Sequence, residues 1–106
     1  VKTTLDAHKY IPWSSSHSLQ RLIDDLHEQG YKVFALETAE PSQSLVEAVL
    51  PEKSTFLFGN ERFGLSEQEL EWADGVLRIP TSGIKNSLNV ANACSMVLYE
   101  YCRQRI

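Results

Sequence analysis

The chain has 106 residues, of which 42% are apolar and 23% charged, and carries a net charge of −4 at pH 7. This length allows one domain with one core, and the fractions are those of an ordinary soluble globular chain. A membrane span, which needs about 20 consecutive apolar residues, is excluded; no signal peptide is expected; and the acidic balance argues against a surface that grips nucleic acid throughout, while leaving room for a local basic patch.

Residues 1–16 show little periodicity. The apolar cluster Tyr10-Ile11-Pro12-Trp13 is expected to pack on a sheet, but Pro12 argues against a central strand, and the segment reads as a loop. Leu19, Leu22, Ile23 and Leu26 recur at i, i+3, i+4 and i+7, with Ser16 or Ser18 as cap and Gly30 as the stop, which predicts an amphipathic helix. Tyr31 to Glu37 reads as a strand, and Ser44 to Leu50 as a short helix closed by Pro51. Thr55 to Phe58 is β-branched or large and apolar throughout, the pattern of a strand buried on both faces.

Ser66 has the marks of an N-cap: Glu69 stands three residues on for a capping box, and Leu65 and Leu70 occupy the positions of a hydrophobic staple. A helix from Glu67 to Ala73 follows, Asp74-Gly75 turns the chain, and Val76 to Pro80 reads as a strand. After the polar loop from Thr81 to Ser87, the last helix sets Val90, Ala93, Cys94, Val97, Leu98, Tyr101 and Cys102 on one face at 3,4 spacing. Its Tyr99/Tyr101 end is either a dimer surface or part of the core.

Helices alternating with apolar strands predict an α/β fold with a mainly parallel sheet, as a single domain over residues 1–106. Only three strands are legible, where sheets average about five or six. With Val1 in place of an initiator Met, this leads us to expect further strands upstream. Cys94 and Cys102 are eight apart on one predicted helix, about 12 Å along its axis and too far for a bridge. They read as reduced core cysteines of an intracellular protein. His8, His17 and His27 show no metal spacing, and no metal is expected.

The stretch from Phe56 to Ser66 combines a strand, a glycine-bounded loop and a helix start, the arrangement in which α/β proteins place ligands. Gly59 and Gly64 have G-x-x-x-x-G spacing, but the Lys that a phosphate cradle requires is Leu65, and Glu61 would repel a phosphate. ATP and GTP are excluded on that ground, and the absence of G-x-G-x-x-G argues against NAD. Gly59 instead lets a ligand approach the backbone closely.

Two stretches are more specific when read together: Phe58-Gly59-Asn60-Glu61-Arg62-Phe63-Gly64-Leu65-Ser66, and Ile79-Pro80-Thr81-Ser82-Gly83-Ile84-Lys85-Asn86-Ser87-Leu88-Asn89-Val90. In order, sequence and separation they resemble motifs 2 and 3 of the SpoU (TrmH-type) branch of the SPOUT RNA methyltransferases. Gly30 to Glu37 resembles the strand that precedes motif 2, so the resemblance covers the chain from about Leu19 onward. It implies a deep trefoil-knotted α/β fold that binds S-adenosylmethionine and methylates a ribose 2′-hydroxyl of tRNA or rRNA, as a cytoplasmic homodimer. It implies that Leu36, Glu37, Gly59 and Ile79 hold the cofactor, with Leu88 closing the adenine pocket, and that Glu61, Ser87 and Asn89 organise catalysis.

Arg62 and Lys85, the only cations inside the two motif loops, are expected to meet RNA phosphate. Each assignment has a plain alternative: Glu61 hydrogen-bonds loop amides, Ser87 and Asn89 cap the last helix, and Arg62 and Lys85 are solvated charge. The family's motif 1, an Asn and an Arg thought to activate the ribose hydroxyl, has no counterpart in the chain, and Arg62 stands where many relatives carry Gly. The competing reading is therefore a non-catalytic RNA-binding or dimerisation module that keeps the fold without motif 1.

Overall fold

The apolar run that ends at Phe58 becomes the middle of the sheet. In the computed structural model, which describes residues 2–6, 10–13, 16–36, 42–59, 65–79 and 90–106, the chain forms β1 (Lys2–Asp6), β2 (Tyr10–Trp13), α1 (Ser16–Glu28), β3 (Lys32–Leu36), β4 (Gln43–Ser44), β5 (Ser54–Phe58), α2 (Glu67–Trp72), β6 (Gly75–Arg78) and α3 (Val90–Arg103). The sheet has six strands in the order β2-β1-β5-β3-β6-β4. β5, β3, β6 and β4 run parallel, while β1 is antiparallel to both β5 and β2.

All five residues of β5 are buried, because the strand is covered on both faces. Phe56 and Phe58 point into one core with Leu77, Leu45, Leu50, Val97 and Tyr101, beneath α3. Leu57 points the other way, into a second core with Val33, Ala35, Leu65 and the α1 residues Leu19 and Ile23. Helices therefore lie on both sides of the sheet, as alternation of helix and strand demands.

Local signals are met closely. The α1 helix ends where Gly30 takes φ +89°; the Gly30 amide donates to the His27 carbonyl and the Tyr31 amide to the Leu26 carbonyl, the paired bonds of a glycine-closed helix end. The Ser66 hydroxyl accepts from the Glu69 amide (3.1 Å), and the Ser66 amide donates to the Glu69 carboxylate (2.8 Å), completing the capping box. Leu65 and Leu70 pack in the same core. Gly75 starts β6 where a Cβ would come to 3.3 Å from the Phe34 ring, so a larger residue there would press on that ring.

Three expectations are corrected. Residues 2–6 and 10–13 are not loop but a β-hairpin, with Lys2 opposite Trp13 and Leu5 opposite Tyr10. Pro12 is tolerated because β2 is an edge strand, where a missing donor costs nothing on the outer side. Ser44 to Leu50 is not a helix: Gln43 and Ser44 pair with β6, and a single turn follows, in which the Ala48 amide donates to the Ser44 carbonyl. The open edge of β6 takes this backbone first, and a helix so short has too few bonds to outweigh its nucleation. The sheet accordingly has six strands where pattern reading found three.

The third correction concerns α3. Val97 and Tyr101 are buried and Ala93 and Cys94 pack against the same core, but Leu98 is 39% exposed and Cys102 is exposed. The cysteines are thus not both core residues; both are free, and burial pushes the Cys94 thiol up. Glu100 takes the inward place instead. Its carboxylate accepts from Arg103 Nε and Nη2 (both 2.7 Å) and from Gln104 Nε2 (2.8 Å). Gln104 also accepts from the Leu50 amide and donates to the Ala48 carbonyl, tying the last turn of α3 to the segment before β5.

These bonds, from Arg103 first and then Gln104, outweigh desolvation and hold the Glu100 carboxyl at about 2, against an ordinary 4.5. Its contribution is full above pH 4.5 and is lost as pH falls from there toward 2. Melting temperature followed from pH 7 to pH 2 is expected to fall more steeply below pH 4.5 in the wild type than in Glu100→Gln. Parallel curves would exclude this role.

Candidate functional site

Parallel pairing brings the carboxyl ends of three adjacent strands to one edge. Leu36, the last residue of β3, is level with Phe58 of β5 on one side and with Leu77 of β6 on the other. Gly59 is the residue after Phe58, and Ile79 lies two beyond Leu77. The three described residues expected to hold the cofactor therefore stand on neighbouring strands, spread over two interstrand spacings, about 10 Å.

Leu36 and Ile79 are partly buried and pack against the core that contains Phe58, on the α3 side of the sheet. Gly59 is half-exposed. Past the last ladder pair, strand-end amides and carbonyls point beyond the sheet and need partners. The edge therefore combines apolar walls with main-chain hydrogen-bonding groups, the composition of a site for a flat heterocycle.

Among the described residues charge there is sparse. Of Leu36, Ser42, Gln43, Gly59, Arg78 and Ile79, only Arg78 is ionised, and its guanidinium donates to the Ser42 carbonyl (2.7 Å) and hydroxyl (3.4 Å). Sequence reading missed Arg78, which lies one residue outside the second motif loop. Among the described residues, no group of three or more His, Cys, Asp or Glu is placed to hold a metal ion.

Glu37, Glu61, Arg62, Lys85, Ser87, Leu88 and Asn89 lie outside the described residues, as does the path of residues 80–89 on which a knot depends. The ends of their segments are described. Gly59 and the buried Leu65 flank the loop with Glu61 and Arg62, and Ile79 and Val90 flank the one with Lys85, Ser87, Leu88 and Asn89.

One other polar cluster serves the fold. At the amino end of β3, the Asp74 carboxylate accepts from the Val33 amide (2.7 Å) and bonds His27 Nε2 (2.8 Å), joining α1, β3 and the turn before β6. Burial alone would raise the Asp74 carboxyl, but the Val33 and His27 hydrogen bonds, with the charges of His27 and Lys32, hold it below its ordinary value. A cleft of about 460 Å³ lined by Val49, Leu50, Glu52, Tyr101, Gln104 and Arg105 opens near the amino end of β5, away from the glycine turn.

The profile of the SpoU rRNA Methylase family matches residues 1–99. The chain is 33% identical over 105 residues to tRNA (guanosine(18)-2′-O)-methyltransferase of Thermus thermophilus, covering 99% of this chain and 54% of the relative. It is 34% identical over 105 residues to the 23S rRNA (guanosine-2′-O-)-methyltransferase RlmB of Xanthomonas axonopodis pv. citri, covering 99% and 42%. The chain thus spans about half the length of these curated relatives.

Among solved structures, the A. aeolicus TrmH/SpoU tRNA modifying enzyme superposes with a TM-score of 0.70 at 32% identity, over 82% of this chain and 44% of that one. The SpoU methyltransferase AviRb from Streptomyces viridochromogenes, solved with AdoMet, superposes with a TM-score of 0.71 at 27% identity, over 86% and 36%. The mainly parallel sheet, the place of Gly59 and Ile79 at its carboxyl edge and the profile match agree, and the chain belongs to the SpoU rRNA methylase family.

Proposed function

We propose that this chain is the cofactor-binding part of an S-adenosylmethionine-dependent methyltransferase acting on a ribose 2′-hydroxyl of tRNA or rRNA. The observation that carries this reading is the convergence of Leu36, Gly59 and Ile79 on one sheet edge. These residues fit the cofactor: Leu36 and Ile79, backed by Phe58, offer apolar walls for adenine, and the strand ends offer main-chain donors and acceptors for its edge. Support comes also from the relatives, which are named as 2′-O-methyltransferases of tRNA and of 23S rRNA. The relatives' names favour this reading over the non-catalytic module.

When bound, the cofactor supplies a methyl group on a positively charged sulfur. In this reading Leu36, Glu37, Gly59, Ile79 and Leu88 hold its adenosine part, and Glu61, two residues past Gly59, brings negative charge to the same turn. Ser87 and Asn89, just before α3, orient the ribose hydroxyl, and Arg62 and Lys85 contact RNA phosphates, which fix register without reading sequence. Displacement at a methyl group needs its partners in line, so alignment by these residues supplies much of the rate. The hydroxyl proton requires a base, and no residue of this chain is assigned that role.

A second copy of the protein fits the outer side of α3, where Met96, Leu98 and Tyr99 are exposed. The homodimer is read as working in the cytoplasm, where tRNA and rRNA are found. The test is transfer of labelled methyl from S-adenosylmethionine to tRNA and rRNA transcripts by the full-length protein, with the product located by its resistance to alkaline cleavage. Binding of S-adenosylhomocysteine without any transfer would favour the non-catalytic module. Transfer by a species that sediments as a monomer would remove the second copy from the reading.

A further inference from the structure

Arg78 is the last residue of β6 and precedes Ile79. Its strand is flanked by β3 on one side and by β4 on the other. β4 has only two ladder pairs, Gln43 with Leu77 and Ser44 with Arg78, and a strand so short is a weak flank. Arg78 reinforces it at both ends. Its carbonyl accepts from the Leu45 amide just after β4 (2.8 Å), and its guanidinium donates to the Ser42 carbonyl just before β4 (2.7 Å).

The chain leaves β3 at Leu36 on one side of β6 and rejoins the sheet at Ser42 on the other. The guanidinium thus fastens the re-entry point to the carboxyl end of the strand that carries Ile79. A half-buried guanidinium gives up hydration, and it does so here to bond a main-chain carbonyl of fixed position.

We propose that Arg78 is a positioning residue for the S-adenosylmethionine site: it holds β4 against β6, and through β4 keeps Ile79 and the neighbouring strand ends in the geometry the cofactor requires. The inference rests on the cofactor reading above. It differs from a general contribution to stability, because the bond acts at the edge where Leu36, Gly59 and Ile79 meet and not in either core.

Full-length wild type, Arg78→Met and Arg78→Lys are titrated with S-adenosylhomocysteine by calorimetry, melted, and followed by amide hydrogen exchange at Leu45. Arg78→Met is expected to bind at least tenfold more weakly, to melt within a few degrees of the wild type, and to exchange the Leu45 amide faster. Arg78→Lys keeps one donor for the Ser42 carbonyl and is expected to recover most of the affinity. Undiminished binding by Arg78→Met overturns the proposal, as does weakened binding with unchanged exchange at Leu45. A lysine variant as weak as the methionine one overturns it, because a single donor should suffice. An Arg78→Met chain that does not fold assigns the residue to overall stability, which also overturns it. A wild type that binds no S-adenosylhomocysteine fails the cofactor reading itself, a result distinct from a binding wild type with an indifferent variant.

Discussion

Gly59→Trp is expected to weaken binding of S-adenosylhomocysteine by more than about 100-fold, which corresponds to about 2.7 kcal/mol, while the protein melts within a few degrees of the wild type. The fold is spared for two reasons. Gly59 lies beyond the last ladder pairs of β5, in which Phe58 faces Thr3 and Leu36, so a side chain at 59 breaks no ladder pair. Among the described residues only Gly30 has positive φ, so a side chain at 59 does not meet the strain of the left-handed region. Glycine at 59 is therefore a matter of room and not of backbone strain. An indole there would crowd the carboxyl edge beside Leu36 that the cofactor is proposed to occupy. Calorimetry on the full-length protein decides: unchanged affinity would move the pocket away from this edge, and a large fall in melting temperature would show that Gly59 serves the fold after all.

What was legible in the sequence follows the range of the signals. The α1 stripe with Gly30, the Ser66–Glu69 capping box and the strand run Thr55 to Phe58 rest on neighbours within a few residues, and each stands where the pattern put it. The elements that were missed are held by distant partners. The β1–β2 hairpin joins the sheet through β5, with Thr3 opposite Phe58, and β4 exists because β6 offers an open edge to Gln43 and Ser44. On α3 the 3,4 apolar stripe named Val97 and Tyr101 correctly but gave Leu98 and Cys102 the places that Glu100 and Gln104 take. The inward turn of Gln104 depends on the backbone of Ala48 and Leu50, more than 50 residues away in the chain.

The candidate site shows the same division. Leu36, Gly59 and Ile79 were named through resemblance, but their meeting at one edge depends on the parallel register of β5, β3 and β6, which no local pattern encodes. Arg78 escaped notice because its partner Ser42 is 36 residues away. A lone cation at a strand end carries no signal until the neighbouring strand is known.

The largest loss of stability is expected from Phe56→Ala. The side chain is 1% exposed in the central strand, and its ring joins three elements: it stacks on Phe34 of β3 (centroids 6.0 Å apart) and meets the edge of Tyr101 of α3 (6.5 Å). Tyr101 in turn donates its hydroxyl to the Glu52 carbonyl and lies under the Arg105 guanidinium, 3.9 Å from its ring centre, so the contact fixes the last turns of α3 against the start of β5. Truncating a buried Phe costs about 3–5 kcal/mol, a large share of the roughly 5–15 kcal/mol that holds a domain together, and should lower the melting temperature by more than about 12 °C. A fall of only a few degrees would mean that the core collapses around the missing ring and that α3 is held mainly by its polar contacts at Ala48 and Leu50. The two substitutions separate cleanly under ligand. A ligand that binds only the folded state raises stability by RT ln(1 + [L]/Kd) whatever the starting stability. Saturating S-adenosylhomocysteine should therefore raise the melting temperature of Phe56→Ala much as it raises that of the wild type, and should leave Gly59→Trp where it was. If Phe56→Ala also loses the ligand shift, the pocket depends on the α3 core as much as on the strand ends, and the edge cannot be treated as a site independent of the helix above it.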